Sequence, residues 1–298
     1  MPDHGLIVWL KKKGARHIKI HADMSVTTAG ALLGPSITIG LSVPLGPINL
    51  LLVAMAFLEL AVLCVHRLEG TANAGQAPHV KKDERIGGSA FAGMTELARS
   101  PYLLGVAMWV SLMSFGATIL YFAQANIVAA TIHGAGAQTR IFASMDLAVG
   151  LLTLAMQVFA TGALLKRFGT GPAAGALPAV YVVGFAALAL VTSLAAVMVF
   201  QVVQRWMNFA IANPARQVFF TVLDREEKYK AKNLIDVVIY RGSDALYGWV
   251  FDSLQGLGLK LGAIALCALP VVAGWLILSM ALGRTQERRA AAAQEGCR

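Results

Sequence analysis

Four charged side chains, Asp236, Arg241, Asp244 and Asp252, stand in the stretch NLIDVVIYRGSDALYGWVFDSLQ, whose other residues are greasy enough for lipid. An Arg or Asp at the middle of a spanning helix costs about 2.5–3.5 kcal/mol on the insertion scale, so such residues must face protein or water. At 100° per residue Asp236, Tyr247, Tyr240, Asp244 and Arg241 share one face, within about 140° of each other. Val238, Trp249, Leu246 and Ile239 take the opposite face. Arginine offers a planar fork that suits phosphate or carboxylate oxygens. A tyrosine can stack on a base, and a carboxylate can pair with the arginine or carry a proton.

The same arrangement recurs in other apolar runs. Gln201, Gln204, Arg205 and Asn208 follow i, i+3, i+4, i+7 spacing and so form one helical stripe. Ser111, Ser114, Thr118 and Tyr121 make a second, with Gln124 close by, and Asp146, Thr153, Gln157 and Thr161 a third. A water-filled central cavity accounts for all of them at once. It makes Arg205, Gln201, Asn208, Tyr121, Gln124 and Tyr240 candidate substrate contacts. Arg241, Asp244, Asp236, Asp146 and the mid-run Glu59 become candidate gating or ion-coupling residues. Other readings stay open: Ser and Thr stripes also serve packing and back-bonding, and Asp236 and Asp252 lie near run ends where water reaches. Arg241 is readable as a substrate contact or as a gate paired with Asp244 at i+3.

The elements that must carry these stripes follow from composition. The 298 residues are 57% hydrophobic and 14% charged, with mean hydropathy +0.65; soluble domains carry about 25% charged residues. Runs near the 20 residues needed to cross hydrocarbon fall at 24–43, 47–65, 102–126, 141–165, 174–193, 195–213, 234–255 and 259–282. The expected fold is an all-α integral membrane bundle of eight spans. Residues 1–23 form a cytoplasmic leader, 24–65 two transmembrane helices and 66–101 a cytoplasmic linker ending in an amphipathic helix. A six-helix unit at 102–283 and a cytoplasmic tail at 284–298 complete it. With the N terminus inside, 21 of the 25 Lys and Arg residues lie on the cytoplasmic side, as the positive-inside rule requires. Both termini are then cytoplasmic.

This placement assigns the net charge of +9 to topology rather than to nucleic acid. Cys64, Cys267 and Cys297 have no paired spacing, so neither a disulfide framework nor a zinc site follows. No Walker loop, GxSxG or GxGxxG is present, nor the Ser/Lys, Asp/Asp or His/Glu constellation of an intramembrane hydrolase. The sequence points to no enzyme, no metal and no cofactor. Its partners are the lipid bilayer and a small-molecule substrate.

Two stretches resemble known families. GALLKRFG at 162–169 is similar to the loop signature of major facilitator transporters, roughly G-x-L-x-D-R-x-G. Gly162, Leu164, Arg167 and Gly169 match, while Lys166 replaces the acidic residue and so weakens the charge pairing attributed to it. PARQVFFTVLDREEKYKAKNLIDVVIYRGSDALYGW at 214–249 resembles the bacterial branch of the ATP:ADP antiporter (nucleotide transport protein) family. Arg225, Glu226, Tyr229, Lys230 and Lys232, then Ile235 and Asp236, then Arg241, Ser243 and Asp244 carry that likeness. The resemblance implies a major-facilitator-like bundle in a bacterial inner membrane, with 102–283 as the C-terminal half. It implies that 24–65 correspond to helices 5 and 6, so that this is a truncated version of a twelve-span transporter of a nucleotide or related organic anion. The alternatives are a proton-coupled transporter of another organic solute, using Asp146, Glu59 or Asp244, and a non-transporting membrane partner or fragment.

Overall fold

The structure is a computed structural model that describes residues 30–73, 92–159, 169–223 and 231–295. The leader, Thr161, most of GALLKRFG, the charged residues 224–230 and the last three residues lie outside the described residues. Every regular element among the described residues is helical. In order they are α1 (Gly30–Leu41), α2 (Gly46–Asn73), α3 (Ala92–Arg99) and α4 (Pro101–Thr131). There follow α5 (Ala135–Phe159), α6 (Thr170–Leu190) and α7 (Leu194–Met207). A π-helical turn, Asn208–Ala212, leads into α8 (Asn213–Phe219) and a 3₁₀ turn, Phe220–Val222. A second π-helical turn, Leu234–Ile239, precedes α9 (Tyr240–Gly256), and α10 (Leu261–Glu295) closes the series.

Six helices are long and apolar enough to cross a bilayer: α2, α4, α5, α6, the run from α7 through Val222, and α10. The chain is an all-α integral membrane protein. Of the eight expected spans, the first appears only as the short α1 among the described residues. The seventh forms a helix across 231–256, but Asp236, Arg241 and Asp244 make it too charged to be assigned by composition. The eighth extends past residue 283, the expected end of the six-helix unit, and stays helical to Glu295.

Several ends follow from local chemistry. Ser100 and Ser193 cap α4 and α7, their hydroxyls accepting from the backbone N–H of Leu103 and Ala196. After α9 the chain turns through Gly258 at φ +81°, a left-handed conformation that glycine adopts without steric cost. There the Gly258 and Leu259 N–H groups donate back to the carbonyls of Gln255 and Leu254.

α4 lies at the centre, packed against α7, α9 and α10. Its neighbours cover most of it, and Val106, Trp109, Val110 and Leu120 are fully buried, while Leu104 and Met108 remain exposed on one face. Trp109 donates from Nε1 to Ser279 Oγ at 2.8 Å, and its ring meets Phe219 and Trp275 edge-on. The Tyr102 hydroxyl donates to the Phe219 carbonyl at 2.8 Å, binding α8 to the start of α4. α6 and α10 make the most extensive pair. They approach so closely that a Cβ built on Gly283 would lie 2.0 Å from Gly171 Cα. Small residues at a membrane helix crossing permit such backbone approach, where packing rather than hydrophobicity drives association. α2 is the opposite case. None of its apolar window is buried, and Ile48, Leu51, Leu52 and Leu58 are exposed. Such a surface suits lipid tails rather than water.

Candidate functional site

Three helices turn polar residues toward one another and leave a cavity of about 510 Å³. α4 supplies Ala117, Thr118, Tyr121 and Phe122, and α7 supplies Gln201, Gln204 and Arg205. Asn208 and Phe209 come from the first π turn, and Tyr240, Arg241 and Asp244 from α9. The volume lies within the roughly 300–1,000 Å³ of small-molecule sites.

The α7 wall is fixed from behind. Gln201 and Gln204 are buried. The Tyr181 hydroxyl of α6 donates to Gln204 Oε1 at 2.8 Å, and Gln204 Nε2 donates to Gln201 Oε1 at 3.2 Å. Arg205 forms an ion pair with Asp146 of α5. Asn208 opens the π turn, and its side-chain oxygen is buried with no hydrogen-bond partner among the described residues. A buried acceptor left open at a cavity wall can take a donor from water or ligand.

The α9 wall is tied to α4. Asp244 accepts from the Ser114 hydroxyl and, at 3.5 Å, from that of Thr118. Ser243 Oγ donates to Ser111 Oγ at 2.8 Å, and Ser111 also bonds the Tyr247 hydroxyl at 2.9 Å. Much of the α4 Ser/Thr stripe is therefore spent on packing. Arg241 Nη1 lies 3.7 Å from Asp244 Oδ2, and its guanidinium stands 5.8 Å from the Tyr240 ring centre.

Of the eleven residues picked out from sequence, Arg205, Gln201, Asn208, Tyr121, Tyr240, Arg241 and Asp244 line this cavity. The other four lie elsewhere. Asp236 was expected on the face shared with Tyr240 and Asp244, yet it pairs with Arg216 of α8 at 3.5 Å. The π turn Leu234–Ile239 breaks the 100° count between them, since its i→i+5 bonding changes the angular spacing. The contact is ionic rather than hydrogen-bonded, for Asp236 Oδ1 and Arg216 Nε have no aligned partner. Gln124 is buried, its amide directed at Met145 Sδ at 3.4 Å, outside the cavity lining. Glu59 is exposed on α2. Asp146 lines a second cavity of about 520 Å³, with Thr153, Gln157, Arg205, Phe209 and Asn213 among its walls. The expected stripe of Asp146, Thr153 and Gln157 thus faces a neighbouring space, joined to the first cavity through Arg205 and Phe209.

Phe209 and Phe122 line the cavity without having been singled out, because a phenylalanine in an apolar run carries no signal of its own. The Arg216–Asp236 pair was equally hidden, since no periodicity relates residues on separate helices. No group of His, Cys, Asp and Glu fit to hold a metal occurs among the described residues.

Chemically, the walls offer two guanidinium groups, two phenols, three primary amides and one carboxylate. No protein-family model matches the chain, and no curated protein matches it.

Proposed function

We propose that the chain is a secondary membrane transporter of the major facilitator type, moving a nucleotide or related organic anion across a bacterial inner membrane. The observation that carries this reading is the cavity itself. Arg205 and Arg241 stand on opposite helices around it, with Tyr121 and Tyr240 beside them. In a membrane-embedded site a guanidinium pair suits phosphoryl or carboxyl oxygens, and phenol rings suit a base or other planar group. The six-helix unit at 102–283 would act as one half of the transporter, with both termini in the cytoplasm. A second reading, a membrane-embedded partner of another protein, draws on α2, whose apolar window lies wholly unburied.

Proteoliposomes holding the full chain test both. Uptake of labelled ATP, competed by ADP and by other organic anions, supports the transporter, and Arg205→Gln should lower that uptake at least tenfold. Absence of uptake for every anion, from protein shown to be inserted and folded, overturns the transporter reading.

A further inference from the structure

The two arginines of the cavity are held differently. Arg241 is 78% exposed and only loosely approaches Asp244, whose carboxylate is already held by two α4 hydroxyls. Arg205 is paired directly with Asp146. That carboxylate comes from α5 and lines the second cavity, not the first, whereas Arg205 lines both. Among the described residues Arg205 is the partner of Asp146, whose side chain is 42% exposed. Two turns further along α5, the Thr153 hydroxyl is buried and lacks a partner among the described residues.

On the transporter reading above, we infer that Asp146 is a resident counter-ion, which occupies Arg205 when the site is empty and is displaced by the anionic group of the substrate. Arg205 carries a single positive charge, which Asp146 neutralises when the site is empty, so a bound anion and Asp146 compete for that charge. The exchange is feasible because the released carboxylate meets a space large enough for water, with Thr153 and Gln157 among the residues of its wall. Asp146 is already partly exposed, so its release does not leave a fully buried unpaired charge. The competition also sets a selectivity. A single carboxylate only matches Asp146 in charge, whereas a phosphoryl group with close to two negative charges outbids it. The favoured substrates are organic phosphates and other polyanions rather than monocarboxylates.

Binding to the purified full chain in zwitterionic nanodiscs tests this, with ATP, inorganic phosphate and benzoate as probes. Asp146→Asn should bind ATP about two- to fivefold tighter than the native chain, the upper part of the range of a partly exposed ion pair expressed as affinity. It should also narrow the preference for ATP over benzoate. Asp252→Asn makes the same charge change on an exposed α9 position outside both cavities and should leave affinity unchanged. A purely structural role for Asp146 would weaken binding, not strengthen it. Asp146→Ser serves if the asparagine variant does not fold, with the same result expected. Unchanged or weaker ATP binding by a folded Asp146 variant overturns the inference while leaving the transporter reading intact. Equal tightening by Asp252→Asn overturns it as well, by reducing the effect to net charge. If no probe binds even the native chain, the reading of the cavity falls and the inference with it.

Discussion

Arg241 and Asp244 lie one helical turn apart on α9 and line the cavity with Arg205 of α7. The arginine is mostly exposed, so its pairing contributes little to stability; exposed pairs typically give about 0.2–1 kcal/mol. On the proposed transporter reading, that weakness suits a contact that forms when one mouth of the cavity closes and breaks when it opens, since a pair biases an equilibrium only by its difference between the two states. Arg241→Gln should therefore change transport while membrane insertion stays normal and thermal stability shifts by less than about 0.5 kcal/mol. Exchanging the two residues, Arg241→Asp with Asp244→Arg, should restore part of the transport. Normal transport by the single variant, or loss only through misfolding, removes the gate. At this scale the sequence was informative where one unbroken helix carries the pattern: the α7 stripe and the Tyr240–Asp244 turn both reach the cavity. It misled at Asp236, where a π turn intervenes, and it could not reveal that Asp146 from another helix would meet Arg205.

The helices that build the site depend on a pair that does not touch it. α6 and α10 pack through Gly171, Gly175 and Gly283, and α6 in turn anchors Gln204 through Tyr181. Gly283→Ala would drive a methyl group into the backbone of α6 at Gly171, with no flexible side chain to yield. Overpacking of this kind costs about 1–3 kcal/mol. Gly274 of the same helix has open space around its Cβ position, so Gly274→Ala should be neutral or slightly stabilising, as alanine is the better helix former. Thermal unfolding in one detergent compares them; equal melting temperatures for the two variants would refute the close packing. Long elements such as α4 and α6 were legible because bilayer thickness imposes a length that composition alone reveals. Their pairing was not, because a glycine at an interhelical contact and one facing lipid look alike in a single sequence. The π turns were equally silent, as no residue type marks them.

For the whole molecule, the distribution of positive charge is the strongest remaining handle on orientation. Lys and Arg resist transfer across the inner membrane, so loops that stay inside accumulate them, and 21 of 25 fall on one side of the expected topology. On that topology the turn between α4 and α5 is external. The structure makes it shorter than the sequence suggested: α4 runs to Thr131 and α5 begins at Ala135, so only residues 132–134 remain of an expected loop at 127–140. Ala135, at the border of this short connection, is exposed. The test therefore uses a chain in which Cys64, Cys267 and Cys297 are replaced by serine, carrying either Ala135→Cys or Gly75→Cys. A membrane-impermeant maleimide added to intact cells should label the first and spare the second, and permeabilised cells should label both. Ala135→Cys is the decisive position, because α4 and α5 both bear cavity residues or their counter-ion. Their connection fixes which end of Arg205 and Asp146 faces outward. Labelling at position 75 but not at 135 in intact cells would invert the molecule. The Arg241–Asp244 pair would then guard the outer mouth, and the gate proposed for it would open to the outside.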